Sequence, residues 1–308
     1  MIFAIGAFDG FHIGHQKLLL TARKRAEERK TQWGVITFDQ NPQTLFNKKK
    51  FRALFNSDER DLLIKYFAIP YVEKIPFTHN FANMKPEDFI NYIAKKEDIH
   101  GLVVGENFRF GMARVGTPEV LAELCAKKGW TADVVESLKI ENEVVSSTLI
   151  RESLLRGEAE KAARLLGHPF FVSGKVIRGD MRGRTLGFPT ANIVLRNDKI
   201  YPARGSYTSV TYINKKWYPA ALNIGFNPTF SGRRKLRCET HIVGYDGNLY
   251  GKTVFVFVVS HNRGEIKFQD AGALSEQLAI DIQTVNVKAT AYLEKHTEEL
   301  RKFGEYQL

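Results

Sequence analysis

Short apolar runs alternate with amphipathic stretches through the first half of the chain. "IFAIG", "WGVITF", "GLVVG" and "TADVVE" read as strands, each brief and bounded by turn or polar residues. Between them, Gln16 to Glu28 places Leu18, Leu19, Ala22 and Ala26 on one helical face. Ser57 is expected to cap a second helix, with Asp58 and Glu59 in its first turn and Leu62, Leu63, Tyr66 and Phe67 facing inward. Pro86 opens a third helix, followed by Glu87 and Asp88. Thr117-Pro118-Glu119 starts a fourth, which Gly129 ends. This alternation predicts an α/β domain with a mostly parallel sheet and helices on both faces. Ligands of such sheets bind beyond the C-terminal ends of the strands.

The pattern changes in the second half. "STLIRESLLRGEAEKAARLLG" reads as two short helices broken at Gly157. After it, "FFVSGKVI", "GSYTSVTYI", "KWYPAALNI", "RCETHIVGY" and "KTVFVFVVS" are rich in β-branched and aromatic residues and read as strands. "YDGNLYG" carries a strong hairpin signal. A long helical pattern from about Ala273 to Lys302 closes the sequence. The prediction is a compact β-barrel with a terminal helix, and a boundary near Arg164 that divides the chain into 1–164 and 165–308. No internal repeat or low-complexity segment interrupts it.

Composition and charge add little to the fold and something to the chemistry. At 308 residues the chain has room for two cores, and 44% hydrophobic with 26% charged residues is a globular composition. Lys and Arg number 45 against 34 Asp and Glu, a net charge of +11. That excess favours an anionic partner: nucleotide phosphates, nucleic acid or a membrane surface. No Lys/Arg run exceeds three residues, as at Lys48 to Lys50, and no RNP-type aromatic motif is present, so no specific nucleic-acid partner is expected. The longest strongly apolar run, Val254 to Val259, is too short to span a bilayer. Asp9 interrupts the first apolar run and no basic leader precedes it, which predicts no secretory signal. Cys125 and Cys238 form neither a CxxC nor a zinc spacing, which predicts a reduced, cytoplasmic protein.

The candidate chemistry begins directly after the first strand, in "GAFDGFHIGHQ", Gly6 to Gln16. Gly10 permits a tight turn, and Gly14 lets a phosphate approach the backbone at a helix start. His12 and His15 can donate to a phosphoryl oxygen. Two histidines three apart could instead share a metal ion or be ordinary turn residues, and the motif alone leaves these readings open. "VSSTLIR", Val145 to Arg151, offers Ser146, Ser147 and Thr148 at a helix start and Arg151 one turn on, a set suited to a polyphosphate or simply to a helix cap.

Together the two elements resemble the HxGH nucleotidylyltransferases. With "VGENFRFG" added, the chain resembles the bacterial bifunctional riboflavin kinase/FAD synthetase family over nearly its full length. The resemblance implies a Rossmann-like N-terminal domain that transfers AMP from ATP to FMN. It places Gly6, Phe8, Asp9, Gly14, Ser147, Thr148 and Arg151 on the nucleotide, makes His12 and His15 catalytic, and sets Asn107 and Phe110 beside the flavin. The family often has Asp at the Asn107 position and TFEPHP where this chain reads "TFDQNP", Thr37 to Pro42. The nucleophile would be the FMN phosphate, which is largely dianionic near neutral pH and needs no base.

In the second half, "GDMRGRTLGFPTANI", Gly179 to Ile193, sets two glycines among basic residues and presents Thr190 and Asn192 on one face of an extended segment. Both are hard oxygen ligands suited to Mg²⁺ carrying ATP phosphates. A structural Gly-Pro turn would read the same way, and the Walker A pattern is absent. The resemblance extends through "NIGFNPTF", Asn223 to Phe230, then Glu239, and "NRGEIKF", Asn262 to Phe268. It implies a riboflavin kinase with Gly183, Arg184, Gly187 and Pro189 on the nucleotide, Arg263 near the flavin, and Glu239 as the base for the riboflavin hydroxyl. Outside the resemblance, Glu239 could equally be a solvent-facing strand residue. The expected ligands are therefore riboflavin, FMN, FAD, ATP and Mg²⁺, with no membrane partner and an oligomeric state that the sequence leaves open. Two other functions compete: a different HxGH adenylyltransferase carrying an accessory barrel, and an RNA-binding protein.

Overall fold

The computed structural model describes residues 1–46, 51–179, 183, 187–227 and 235–306. Contacts divide the chain into two units, Met1–Phe55 with Leu63–Ser147, and Asn56–Leu62 with Thr148–Leu308. The sequence pattern puts its division later, near Arg164. The contact division assigns the two short helices beyond Ser147 to the second unit, where the Ala203 N–H donates to the Leu154 carbonyl at 2.8 Å.

The first unit is built on strands β1 (Ile2–Ile5), β2 (Trp33–Phe38), β3 (Val72–Ile75), β4 (Gly101–Gly105) and β5 (Thr131–Val135). They form one parallel sheet in the order β3-β2-β1-β4-β5. Strand order reverses between β1 and β4, and in such sheets the crevice opens at that reversal. Helix α1 (Ile13–Glu28) buries the four predicted residues Leu18, Leu19, Ala22 and Ala26. It begins three residues before the expected Gln16, so the second histidine of the opening motif lies inside its first turn. Short α2 (Pro42–Phe46) and α3 (Ser57–Tyr66) follow β2 in the chain, and the cap and first turns of α3, Asn56–Leu62, belong to the second unit. The cap of α3 is Asn56 rather than Ser57: the Asn56 Oδ1 accepts from the Glu59 N–H at 3.0 Å, and the Glu59 carboxylate accepts from the Asn56 N–H at 2.9 Å. That reciprocal pair is a capping box. Helices α4 (His79–Ala82) and α5 (Pro86–Ala94) precede β4. Helix α6 (Pro118–Lys127) starts as predicted, with Thr117 Oγ1 accepting from the Val120 N–H, and Gly129 follows it at φ +73°. A core of Phe3, Ile5, Ile36, Leu102, Val104, Phe89 and Leu121 joins the sheet to these helices. Two short strands, β6 (Lys139–Ile140) and β7 (Glu143–Val144), complete the unit.

In the second unit, helices α7 (Ser147–Leu155) and α8 (Ala159–Leu166) flank Gly157, whose φ of +79° makes the predicted break. Strands β8 (Phe171–Ile177), β9 (Ala191–Ile193), β10 (Gly205–Ile213), β11 (Lys216–Asn227), β12 (Lys235–Ile242) and β13 (Thr253–Arg263) close into an antiparallel barrel ordered β10-β11-β12-β9-β8-β13. "YDGNLYG" does not make a hairpin. It joins β12 to β13, which are separated in the barrel by β9 and β8. The tight hairpin is at Asn214-Lys215, between β10 and β11, where both residues have positive φ, 50° and 64°. That is the twist a two-residue turn needs. The single terminal helix expected from the sequence is two, α9 (Ala271–Lys295) and α10 (Thr297–Tyr306), separated at His296.

Candidate active sites

The opening motif leaves the C-terminal end of β1 along a strained path. Phe8, Gly10 and Phe11 have φ of 46°, 94° and 46°. A left-handed conformation costs a non-glycine residue about 1–2 kcal/mol. Packing holds the two phenylalanines there: both are buried, their rings stack at 5.4 Å, and Phe11 stacks on Phe67 at 5.6 Å. Asp9 is also buried, its Oδ1 accepting from the Leu54 N–H at 2.9 Å. The Asp9 carbonyl accepts from the Ser147 hydroxyl at 2.8 Å. The nearest atoms to a Cβ at Gly6 would be those of the Phe8 ring, at 3.5 Å.

His12 is the N-cap of α1, its Nδ1 facing the His15 N–H at 3.3 Å. Because Nδ1 accepts, the proton of the neutral ring sits on Nε2, which is then a donor. The two imidazoles stack with centroids 3.6 Å apart. The His15 Nδ1 is buried with no hydrogen-bond partner among the described residues. Desolvation, with His12 alongside, holds His15 well below the usual 6.5, so the ring is neutral near pH 7. A Cβ at Gly14 would lie 3.1 Å from His12 Nδ1 and 3.2 Å from its Cε1. The missing side chain thus makes room for the His12 ring, in addition to any approaching ligand. Among the described residues, no group of three or more His, Cys, Asp and Glu could hold a metal ion.

Other predicted residues of this half have defined surroundings. Thr148 and Arg151 fall in the second contact unit, where Arg151 Nη2 donates to Thr148 Oγ1 at 3.2 Å. Asn107 Nδ2 donates to Ser137 Oγ at 3.1 Å. Phe110 is a core residue, 6% exposed and packed on Phe89 and Phe108. The Phe108 ring is half-buried. In "TFDQNP", Asn41 Oδ1 accepts from the Gln43 N–H at 3.0 Å and caps α2, while Asp39 accepts from Phe77 N at 2.9 Å.

The second constellation lines a cavity of about 290 Å³ in the barrel unit. Asn192 and Glu239 are direct cross-strand partners on β9 and β12, and both face the cavity with Thr190. Gly179 is required here: a Cβ would lie 2.3 Å from Asn192 Nδ2. Gly183 allows a similar closeness, since its Cβ would meet the Phe188 carbonyl at 2.4 Å, and Gly187 has φ +84°. The Pro189 carbonyl accepts from His241 Nδ1 at 2.8 Å. Arg184 and the last three residues of "NIGFNPTF" lie outside the described residues. Arg263 holds Asp281 of α9 through two bonds, 3.0 and 2.6 Å, so its guanidinium fastens that helix beside the cavity. Leu274, Leu278 and Ile282 of α9 supply an apolar wall opposite the polar strands.

Among the cavity residues that sequence reasoning missed are the charged or titratable Arg237 and His241. Arg237 Nη1 lies 3.2 Å from Glu239 Oε1, and the spacing Arg-x-Glu-x-His along one strand face could have shown all three together. The neutral oxygens of Thr190 and Asn192 beside one carboxylate fit Mg²⁺, which is held by few protein ligands and keeps its waters and substrate phosphates.

Residues 1–149 match the sequence model of the FAD synthetase family, and residues 166–288 that of riboflavin kinase. A bifunctional riboflavin kinase/FMN adenylyltransferase of Bacillus subtilis is 33% identical over 92% of this chain and 90% of its own. One from Buchnera aphidicola is 35% identical over 92% of each chain. Among solved structures, one named a macrolide-efflux protein, from Streptococcus pneumoniae, superposes with a TM-score of 0.85 at 30% identity over 92% of this chain and 93% of that one. Among the described residues of this chain no helix is long and apolar enough to cross a membrane. With both halves matched in order and the relatives covered almost end to end, the chain belongs to the bifunctional riboflavin kinase/FMN adenylyltransferase family.

Proposed function

We propose that this protein phosphorylates riboflavin in its 165–308 segment and adenylylates the resulting FMN in its 1–164 segment, using one ATP for each step. The observation that carries the assignment of chemistry is the Asn192–Glu239 pair facing one cavity across β9 and β12. It gives the second half a carboxylate beside neutral metal-type oxygens, as attack by a hydroxyl requires.

In the first reaction the riboflavin 5′-hydroxyl attacks the γ-phosphorus of ATP. Glu239 accepts the hydroxyl proton as the new O–P bond forms, and ADP leaves. Thr190 and Asn192 would hold Mg²⁺, which when bound neutralises charge on the phosphate oxygens. The wall of Leu274, Leu278 and Ile282 suits the flat flavin ring system. Gly183, Arg184, Gly187 and Pro189 would cover the nucleotide, and Arg263 would border the flavin by holding α9.

In the second reaction a phosphate oxygen of FMN attacks the α-phosphorus of ATP and pyrophosphate leaves. No proton needs removal, so the site is built for positioning and charge stabilisation. His12 and His15 donate to the reacting phosphoryl group as neutral imidazoles. Gly6, Phe8, Asp9 and Gly14 shape the nucleotide loop, Ser147, Thr148 and Arg151 serve the triphosphate, and Asn107 with the Phe108–Phe110 pair borders the flavin. Both cysteines are free and buried, their thiols pushed up to about 12, in keeping with a reducing cytoplasm.

One chromatographic assay resolving riboflavin, FMN and FAD tests the division. Glu239→Gln, nearly isosteric but a poor base, is expected to lose FMN formation and to keep FAD formation from supplied FMN. His15→Ala is expected to convert riboflavin to FMN and stop. FAD accumulation by His15→Ala, or equal failure of Glu239→Gln with both substrates, would reject the assignment.

A further inference from the structure

A carboxylate from the first half of the sequence is built into the second unit. Asn56–Leu62 belongs to that unit by its contacts. Within it Glu59 is wholly buried, as is Lys199, with Oε2 and Nζ 2.5 Å apart. Glu59 Oε1 accepts from both the N–H and the hydroxyl of Ser173, at 2.9 and 2.8 Å. Lys199 also donates to the Phe171 carbonyl at 2.6 Å and lies 4.6 Å from the Phe170 ring centroid. One residue before Glu59, Asp58 stands 4.0 Å from Arg196, which itself binds Asp198 at 3.0 Å.

These partners are not scattered. Phe171 and Ser173 are on β8, which pairs with β9 at Val176–Ile193 and Ile177–Asn192. Arg196 and Lys199 are in the segment leaving β9. Glu59 therefore ties β8 to the exit of the strand that carries Asn192. A buried ion pair is a weak source of stability, because desolvating two charges offsets most of their attraction. Its better-attested use is to fix one arrangement among several.

We propose that Glu59 is a positioning residue for riboflavin phosphorylation: through Ser173 and Lys199 it sets where β9 lies, and with it Thr190 and Asn192. The inference rests on the reading of Thr190, Asn192 and Glu239 as the phosphorylating site. It also means that this activity depends on residues well outside the 166–288 region matched to riboflavin kinase.

The test uses the full-length chain with Glu59→Gln, which keeps the shape but removes the Glu59 charge from the Lys199 ammonium, and the double variant Glu59→Gln/Lys199→Met, which removes the ammonium as well. Hydrogen exchange is followed in peptides spanning 171–177 and 191–199, and FMN formation is measured with kcat and KM separated. Glu59→Gln is expected to speed exchange in both peptides and to lower kcat for FMN formation about 10-fold, the lower end for losing a residue that orients a ligand. FAD formation from supplied FMN is expected to stay at the wild-type rate. The double variant is expected to regain thermal stability but not kcat, because the carboxylate clamp is still missing; it also serves if Glu59→Gln alone does not fold. Recovery of kcat together with stability would make Glu59 merely structural and overturn the proposal. So would wild-type FMN formation by Glu59→Gln. Glu239→Gln run in parallel separates the two levels: if it is inactive while Glu59→Gln is normal, only the positioning role has failed.

Discussion

Adding one carbon at Gly14 tests the arrangement of the histidine pair. Gly14 is the second residue of α1 and its backbone has no left-handed φ, so alanine is conformationally acceptable. Alanine in place of glycine in a helix gains up to about 1 kcal/mol, less near an end. Against this, the new Cβ would sit 3.1 Å from His12 Nδ1 and 3.2 Å from Cε1, so the ring must give by a few tenths of an ångström. It is constrained already, stacked on His15 at 3.6 Å and facing the His15 N–H at 3.3 Å. Twisting it off its rotamer costs about 0.5–1.5 kcal/mol, which roughly cancels the helix gain. Stability is therefore expected to change little. Catalysis is more sensitive, since a misplacement of about 1 Å can cost 10²-fold. A displacement of a fraction of that predicts a loss of about 10-fold in FAD formation from supplied FMN. The same preparation should phosphorylate riboflavin normally, which serves as an internal control alongside a melting curve. Wild-type FAD formation by Gly14→Ala would refute the claim that the His12 position governs the transfer. A large fall in melting temperature would show instead that the helix start had been disrupted.

Three further outcomes are expected. Thr190→Ala and Asn192→Ala should each raise the magnesium concentration needed for FMN formation and cost 10- to 100-fold at limiting metal, read from a Mg²⁺ titration; unchanged titrations would remove both residues from the metal site. Arg151→Lys keeps the charge but not the forked geometry, and should impair FAD formation while sparing FMN formation, measured with supplied FMN. His15, lowered below 6.5 in the folded chain, stays unprotonated while the unfolded chain takes up a proton. Stability is thus fully present above the unfolded value and falls as the pH drops through it, by at most about 1.4 kcal/mol per pH unit, and His15→Gln should flatten that slope in urea melts between about pH 7 and pH 5.

Elements with a clean local signal were legible in the sequence. β2 and β4 coincide with "WGVITF" and "GLVVG", and α6 begins at Thr117-Pro118 as expected. β3 was not: "VEKI" is four residues with two charges, and only its parallel pairing with β2 makes it a strand. The "YDGNLYG" turn has hairpin chemistry, yet barrel closure sends its two flanking strands to different neighbours. At Asn214-Lys215 no glycine announces the turn that does form. In the sites, glycines and histidines were readable because their spacing is local. Phe110, expected beside the flavin, is also a core residue, and the alternation of "NFRF" does not show which ring points inward. Glu59 looked like an ordinary first-turn acid. Nothing near it in sequence shows that its counter-charge lies 140 residues on.

The barrel's closure has a consequence for synthesis of the chain. β8, the first strand made, completes its pairing only with β13, the last, Val172 lying opposite Val256. Until β13 has left the ribosome, β8 and β10 each present an unpaired edge, and long-range strand pairing of this kind is slow and prone to aggregation. A nascent chain stalled or truncated after β12 would keep both edges open. The apolar run Val254 to Val259, which seals them, is itself a sticky segment if it emerges without its partners. Shortened products of this gene should therefore be recovered as aggregates or degraded rather than as a soluble half-barrel, while products ending near Ser147 would contain every strand of the parallel sheet.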